Sequence, residues 1–154
     1  RDNLLIVQTF SKSRNLAGAR IGCALGGRAL IDDLRAIKYA FNPYNLGRLS
    51  QRIGVAAVAE AGYYKECAAA IIDTRAYTTA ALRELGFTVL DSMANFLFAA
   101  PPQMGGGDYY RALKARGVLV RHFDAPRMRD YVRITIGTRP EMNRLLEETR
   151  GLLK

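Results

Sequence analysis

The chain has 154 residues, 49% of them hydrophobic and 24% charged, which is enough apolar material for a real core and normal for a soluble globular protein. Its net charge of +9, from 23 basic and 14 acidic residues, would suit a polyanion. The basic residues are scattered, however, with no run of five or more and no RNP, zinc-finger or basic-tail signature, so anionic small molecules are the more economical partners and no nucleic acid is expected.

No apolar run approaches the roughly 20 residues needed to span a bilayer, no signal peptide is visible, and no membrane partner is expected. The sequence starts at Arg1 rather than Met, in keeping with a processed or trimmed start. Cys23 and Cys67 stand far apart with no second cysteine near either, against a zinc site or a disulfide scaffold. They read as two buried thiols in a reducing cytoplasm.

In chain order, residues 4–7 form a short apolar run that reads as a buried strand. Residues 9–17 are a loop of polar and small residues, and 20–25 a second strand closed by Gly26-Gly27. Residues 29–39 carry Leu30, Ile31, Leu34 and Ile37 on one helical stripe, ended by Asn42-Pro43-Tyr44-Asn45. Residues 49–60, rich in Ala and Val, predict a well-buried helix interrupted at Gly62. A long helix over 64–85 follows, with Gly86 as its C-cap.

The pattern then changes. Residues 87–90 and 95–98 are strand candidates, and a Pro/Gly-rich loop spans 101–107. Asp108 is placed to N-cap a helix over 109–116. Strands are expected at 118–120 and 131–136. A last amphipathic helix covers 138–153, with Thr138 and Glu141 spaced as a capping box. The whole reads as an α/β chain that ends in an α+β unit of about 70 residues.

The chemically informative string runs from Thr9 to Gly22. Lys12 sits in a loop just after a strand, Thr9 and Ser11 precede it, and Arg20 follows eight positions later. Hydroxyls with a guanidinium make a phosphate clamp, because neutral donors orient the oxygens and the planar fork binds two of them. An amine at a strand end can be made nucleophilic by partial burial and nearby cations. Chemistry that needs both an amine and a phosphate anchor fits pyridoxal phosphate.

The pattern Ser11-Lys12-x-x-x-Leu16-Ala17-Gly18-x-Arg20-x-Gly22 resembles the cofactor-lysine motif of the class I/II pyridoxal-phosphate aminotransferases of fold type I. Within that family it is most similar to the histidinol-phosphate aminotransferases. The resemblance covers essentially all 154 residues, but only the C-terminal part of the family's chain. It implies an α/β fold made of the end of the large, cofactor-binding domain (1–62, a mixed or parallel sheet) and the small C-terminal α+β domain (63–154).

It also implies roles. Lys12 is the catalytic, cofactor-bearing lysine, and Thr9, Ser11 and Arg20 bind pyridoxal 5'-phosphate with it. Tyr131 to Arg139 resembles the family's arginine strand, in which Arg133 grips the substrate carboxylate. Gly117 to Arg121 resembles the strand that brings an arginine, here Arg121, toward a side-chain phosphate. Asn95 falls in a segment similar to one lining the substrate pocket. A catalytic triad would need His122, the sole histidine, near a nucleophile and a carboxylate; Asp124 is merely adjacent in sequence, so His122 reads as structural or pocket-rim.

The implied reaction is transfer of an amino group between histidinol phosphate, or a similar amino acid or amine, and 2-oxoglutarate, in a cytoplasmic homodimer. The family's preceding part carries the ring-stacking aromatic and the aspartate that keeps the pyridine nitrogen protonated, so this chain alone is expected to be incompetent. Residues 4–7 and 20–25 are expected to present unpaired edges and apolar faces, and so to dimerise or rearrange. L-Threonine-phosphate decarboxylase and aromatic aminotransferases share the motif. A non-catalytic basic binding module is the alternative of another class. No metal site is expected.

Overall fold

The computed structural model describes residues 2–154. Their contacts divide them into two compact units, Arg1–Glu66 and Cys67–Lys154.

The first unit opens with strand β1 (Leu5–Thr9), a single helical turn α1 (Phe10–Ser13) and strand β2 (Gly22–Gly26). The two strands pair antiparallel from Leu5 opposite Gly26 to Thr9 opposite Gly22. At Gly22 a Cβ would lie 3.0 Å from the Gln8 carbonyl oxygen, so glycine permits this close pairing. Helices α2 (Arg28–Phe41) and α3 (Arg48–Ala59) follow, and α4 (Ala61–Glu84) begins after a break at Glu60.

Three expectations change here. The strand over 4–7 is not buried: every residue of β1 is exposed, because β2 is its only strand neighbour among the described residues. Helix α3 buries only Gly54 and Ala57, so it is not the well-covered helix its Ala/Val content suggests. The interruption expected at Gly62 falls at Glu60, and Gly62 lies inside α4. Cys23 is also exposed and Cys67 only half-buried, and neither is in a disulfide.

The second unit continues α4 and adds β3 (Thr88–Val89), β4 (Phe96–Ala100), α5 (Gly106–Ala115), β5 (Arg121–His122), β6 (Val132–Thr135) and α6 (Arg139–Leu152). The strands form one antiparallel sheet in the order β3-β4-β6-β5. Alternation of side chains gives the sheet two different faces. Leu97, Ala99, Val132 and Ile134 point to one face, where they join Leu82 of α4, Tyr109 and Leu113 of α5, and Leu145 and Leu146 of α6 in the core. Phe96, Phe98 and Arg133 take the other face and are only half-buried.

Helix ends follow local chemistry. Gly86, at φ +86°, lets the Phe87 N–H close α4 on the Leu82 carbonyl at 3.0 Å. Gly117, at φ +78°, does the same for α5 through the Val118 N–H and the Leu113 carbonyl, also at 3.0 Å. The Glu141 carboxylate accepts from the Thr138 N–H at 2.7 Å and from its hydroxyl at 2.8 Å, closing the capping box at the start of α6.

Two boundaries differ from the sequence reading. The N-cap of α5 is Gly105, and Asp108 lies inside its first turn. The strand expected at 118–120 forms its ladder only at Arg121–His122, since the Val118 N–H is already committed to Leu113.

Candidate functional site

The two units carry separate groups of candidate residues. In the first, Lys12 sits on α1, directly after β1. This turn is tied to the residue just before β2 by the Phe10 N–H donating to the Ile21 carbonyl at 3.0 Å. The Ser13 hydroxyl donates to the Thr9 carbonyl at 3.0 Å, so the turn is closed by its own side chain. Lys12 is exposed and forms no ion pair among the described residues. Thr9 and Ser11 lie on either side of Phe10, within the same short strand-to-helix passage.

Arg20 ends the loop in a left-handed conformation, φ 55°, as does Asn15 at φ 53°. For arginine this conformation costs of order 1–3 kcal/mol and persists only where the surrounding structure enforces it. One Arg20 Nη donates to the Ala17 carbonyl at 3.1 Å, and no carboxylate meets its guanidinium among the described residues. Arg14 was not singled out in the sequence. Its guanidinium carbon lies 5.0 Å from the centre of the Tyr64 ring, and its Nε is buried without a hydrogen-bond partner among the described residues. The passage therefore offers an unpaired amine, two hydroxyls and two guanidiniums without acids.

In the second unit the sheet face turned away from the core brings Arg121 and Arg133 together. They are direct partners in the β5–β6 ladder, and Arg133 is also opposite Phe98 across β4–β6. Side chains opposite each other in an antiparallel pair share a face. The Arg133 guanidinium carbon lies 5.4 Å from the Phe96 ring centre and 5.9 Å from that of Phe123, and Arg121's lies 5.2 Å from Phe123. Each such contact is favourable by about 0.5–2 kcal/mol, depending on how dry it is. Phe98 stacks on Tyr131 at 4.8 Å on the same sheet.

Neither arginine has a carboxylate partner among the described residues, and Arg133 Nε is buried with no acceptor. Two like charges on a shared face with no counter-charge form a site suited to an anion.

Asn95 precedes β4, where its carbonyl accepts the Ile136 N–H at 2.9 Å. Its side chain makes no hydrogen bond among the described residues, and the contact to Arg133 comes from the neighbouring Phe96. His122 alternates to the opposite face: its Nε2 lies 2.8 Å from the Arg129 carbonyl oxygen and its ring stacks on Tyr110 at 6.3 Å. The sequence reading gives Phe98 and Phe123 no role in the site. The period-two patterns Arg121-x-Phe123, Phe96-x-Phe98 and Tyr131-x-Arg133 are the signal that could have found them.

The chain as a whole is similar to known proteins. The family model described as aminotransferase class I and II matches residues 1–148. A histidinol-phosphate aminotransferase of Brachyspira hyodysenteriae is 46% identical over 153 residues, covering 99% of this chain and 43% of that protein. Histidinol-phosphate aminotransferase 1 of Bradyrhizobium diazoefficiens is 47% identical over 152 residues, with 99% and 43% covered. Among solved structures, the histidinol-phosphate aminotransferase of Sinorhizobium meliloti in complex with pyridoxal-5'-phosphate superposes with a TM-score of 0.78 at 26% identity, over 98% of this chain and 42% of that one. The chain thus spans less than half the length of the relatives it matches.

Proposed function

Because the chain belongs to the class I and II aminotransferase family, we propose that it is the portion of a pyridoxal-phosphate-dependent aminotransferase that carries the cofactor lysine, Lys12, and two substrate arginines, Arg121 and Arg133. The observation that carries this reading is the pairing of Arg121 with Arg133 on one sheet face, with no acid among the described residues to neutralise either.

The donor set between Thr9 and Arg20 fits the cofactor in chemical kind: an amine for an aldehyde, and hydroxyls and guanidinium for a phosphate. The buried, partnerless Nε of Arg14 is a further donor in the same passage. Lys12, Thr9, Ser11 and Arg20 would hold it. When bound, pyridoxal phosphate supplies an electron sink for the bonds at the substrate's α-carbon.

The residues' own work is then defined. The Lys12 amine moves the proton at the substrate's α-carbon, as base and then as acid. Arg133 fixes a carboxylate through its planar fork, and Arg121 holds a phosphate on the substrate's far end. The two anions belong to different substrates. Histidinol phosphate brings a phosphate and no carboxylate, whereas 2-oxoglutarate brings only carboxylates. Two guanidiniums on one face let a single site serve both in turn, with Asn95 at the border of the pocket.

The active form is a homodimer in the cytoplasm, and this portion alone is incompetent. Two free thiols support the compartment, the exposed apolar surface of the first unit supports an interface, and a length under half that of the relatives supports incompetence alone. No helix among the described residues is long and apolar enough to cross a membrane.

The test uses a protein that carries this chain together with the additional length of its relatives. Glutamate formation from 2-oxoglutarate with histidinol phosphate as amino donor is expected, and its loss in Lys12→Ala. Undiminished turnover in Lys12→Ala would reject the assignment. Carbon dioxide release from threonine phosphate without amino transfer would replace it with a decarboxylase.

A further inference from the structure

We infer that Phe123 is a positioning residue for the anion site: one ring holds the guanidiniums of both Arg121 and Arg133 and keeps their hydrogen-bonding edges free for the substrate. The inference rests on the reading of those two arginines as substrate ligands and adds a residue to it.

The geometry begins in the strand. Arg121 and His122 form β5, and alternation sends His122 toward the core side and returns Phe123 to the face of Arg121. The chain after it is held by local bonds: the Ala125 N–H donates to the Phe123 carbonyl at 3.0 Å, and the Met128 and Arg129 N–H groups donate to the Ala125 carbonyl at 2.8 and 2.9 Å. His122 adds a contact to the Arg129 carbonyl at 2.8 Å. The ring is half-buried and lies 5.2 Å from the Arg121 guanidinium carbon and 5.9 Å from that of Arg133.

What an aromatic ring does here differs from what an acid would do. A carboxylate between two arginines would occupy their N–H forks and cancel their charge. A ring face attracts each cation through its quadrupole while accepting no fork hydrogen bond of that kind. It therefore offsets the repulsion of two opposed like charges and leaves the donors for an incoming oxyanion. Arg133, which also lies over Phe96 at 5.4 Å, keeps a buried Nε with no acceptor among the described residues. Phe123 is the ring that the two arginines have in common.

The experiment titrates the full chain with inorganic phosphate, following the arginine Nε–Hε resonances by NMR. Four variants are compared with the unaltered chain: Arg121→Gln, Arg133→Gln, Phe123→Tyr, and a chain with pentafluorophenylalanine at position 123. The fluorinated ring keeps the bulk but reverses the quadrupole, so a purely structural role would leave binding unmoved. The expected result is that phosphate shifts Arg121 and Arg133 together. The fluorinated ring should weaken binding roughly tenfold with the unfolding temperature little changed, and Phe123→Tyr should preserve it. Full binding with the fluorinated ring, alongside loss in both arginine variants, overturns the role of Phe123 and leaves the arginine site standing. Binding that survives both arginine variants, or phosphate that shifts neither arginine in the unaltered chain, overturns the site itself and the inference with it.

Discussion

Arg121 and Arg133 stand directly opposite each other across β5 and β6, and neither meets a carboxylate among the described residues. Like charges in that relation cost a few tenths to about 1 kcal/mol. Arg121→Gln removes this repulsion and the Arg121–Phe123 contact together, so the unfolding temperature in anion-free buffer should change little. Added phosphate should stabilise the unaltered chain and do little for the variant, since only a bound anion shifts the folding equilibrium. Differential scanning fluorimetry with and without phosphate reads both effects. An equal phosphate response in the two proteins would count against a paired anion site.

A second prediction concerns pH. Tyr109 is fully buried, and its hydroxyl lies 2.7 Å from that of Thr149, which itself donates to the Leu145 carbonyl at 2.7 Å. Tyr109 is therefore the donor to Thr149. Burial pushes its phenol up to about 12. The ordinary tyrosine value is about 10, so the unfolded chain loses this proton first. The contribution is fully present below about pH 10, falls as pH rises from there, and is gone above about pH 12, a loss of about 3 kcal/mol. Tyr109→Phe should cost about 1 kcal/mol at neutral pH for the lost hydrogen bond and should flatten the alkaline limb. Urea denaturation from pH 8 to 12 measures this. An alkaline limb of unchanged steepness in the variant would assign it to other groups.

What could be read in the sequence follows the range of the interaction responsible. The Thr138–Glu141 capping box and the Gly86 helix stop are set by residues a few positions apart, and both form. The run at 4–7 reads as buried because hydropathy expresses a preference. Burial itself requires partners, and β1 has one strand beside it. In the strand expected at 118–120, the Val118 N–H goes to Leu113 instead of a ladder, a competition that only the folded chain reveals. The family motif pointed to Lys12, Arg121 and Arg133. The link between Arg121, Arg133 and Phe123 depends on which strands become neighbours, and alternation within each strand shows only which of its residues share a face.

At the start of α6 the Glu141 carboxylate is held below its ordinary range, chiefly by the Thr138 backbone N–H and also by its hydroxyl. A depressed carboxylate contributes stability above the unfolded value near 4.3, and that stability is lost as pH falls through the lower folded value. Glu141→Ala should lower the unfolding temperature at pH 7 and make it less dependent on pH between 5 and 3. Gly137→Ala should act similarly, because the added Cβ would meet Glu141 Oε2. Circular dichroism melts across that pH range decide the matter. An acid-side slope unaltered in Glu141→Ala would remove the cap as its cause.

The last prediction comes from the first unit, which exposes apolar side chains on several elements: Val7 is 69% exposed, Ile37 64%, Phe41 89% and Val55 73%. Both outer edges of the β1–β2 pair lack a strand neighbour among the described residues. Exposed edges invite pairing with another chain, and apolar area removed from water is worth about 25 cal/mol per Å². A stable interface buries about 800 Å² per partner, so association needs several of these elements at once. The full chain should therefore associate at micromolar concentration through this unit. Val7→Lys, which places a charge on the edge strand, and Ile37→Glu should each weaken that association without changing the helix content. Sedimentation velocity over a hundredfold concentration range is the measurement. A chain that remains monomeric across it, with β1 ordered, would show that these apolar side chains are tolerated in water and that the homodimer must be built from other surfaces.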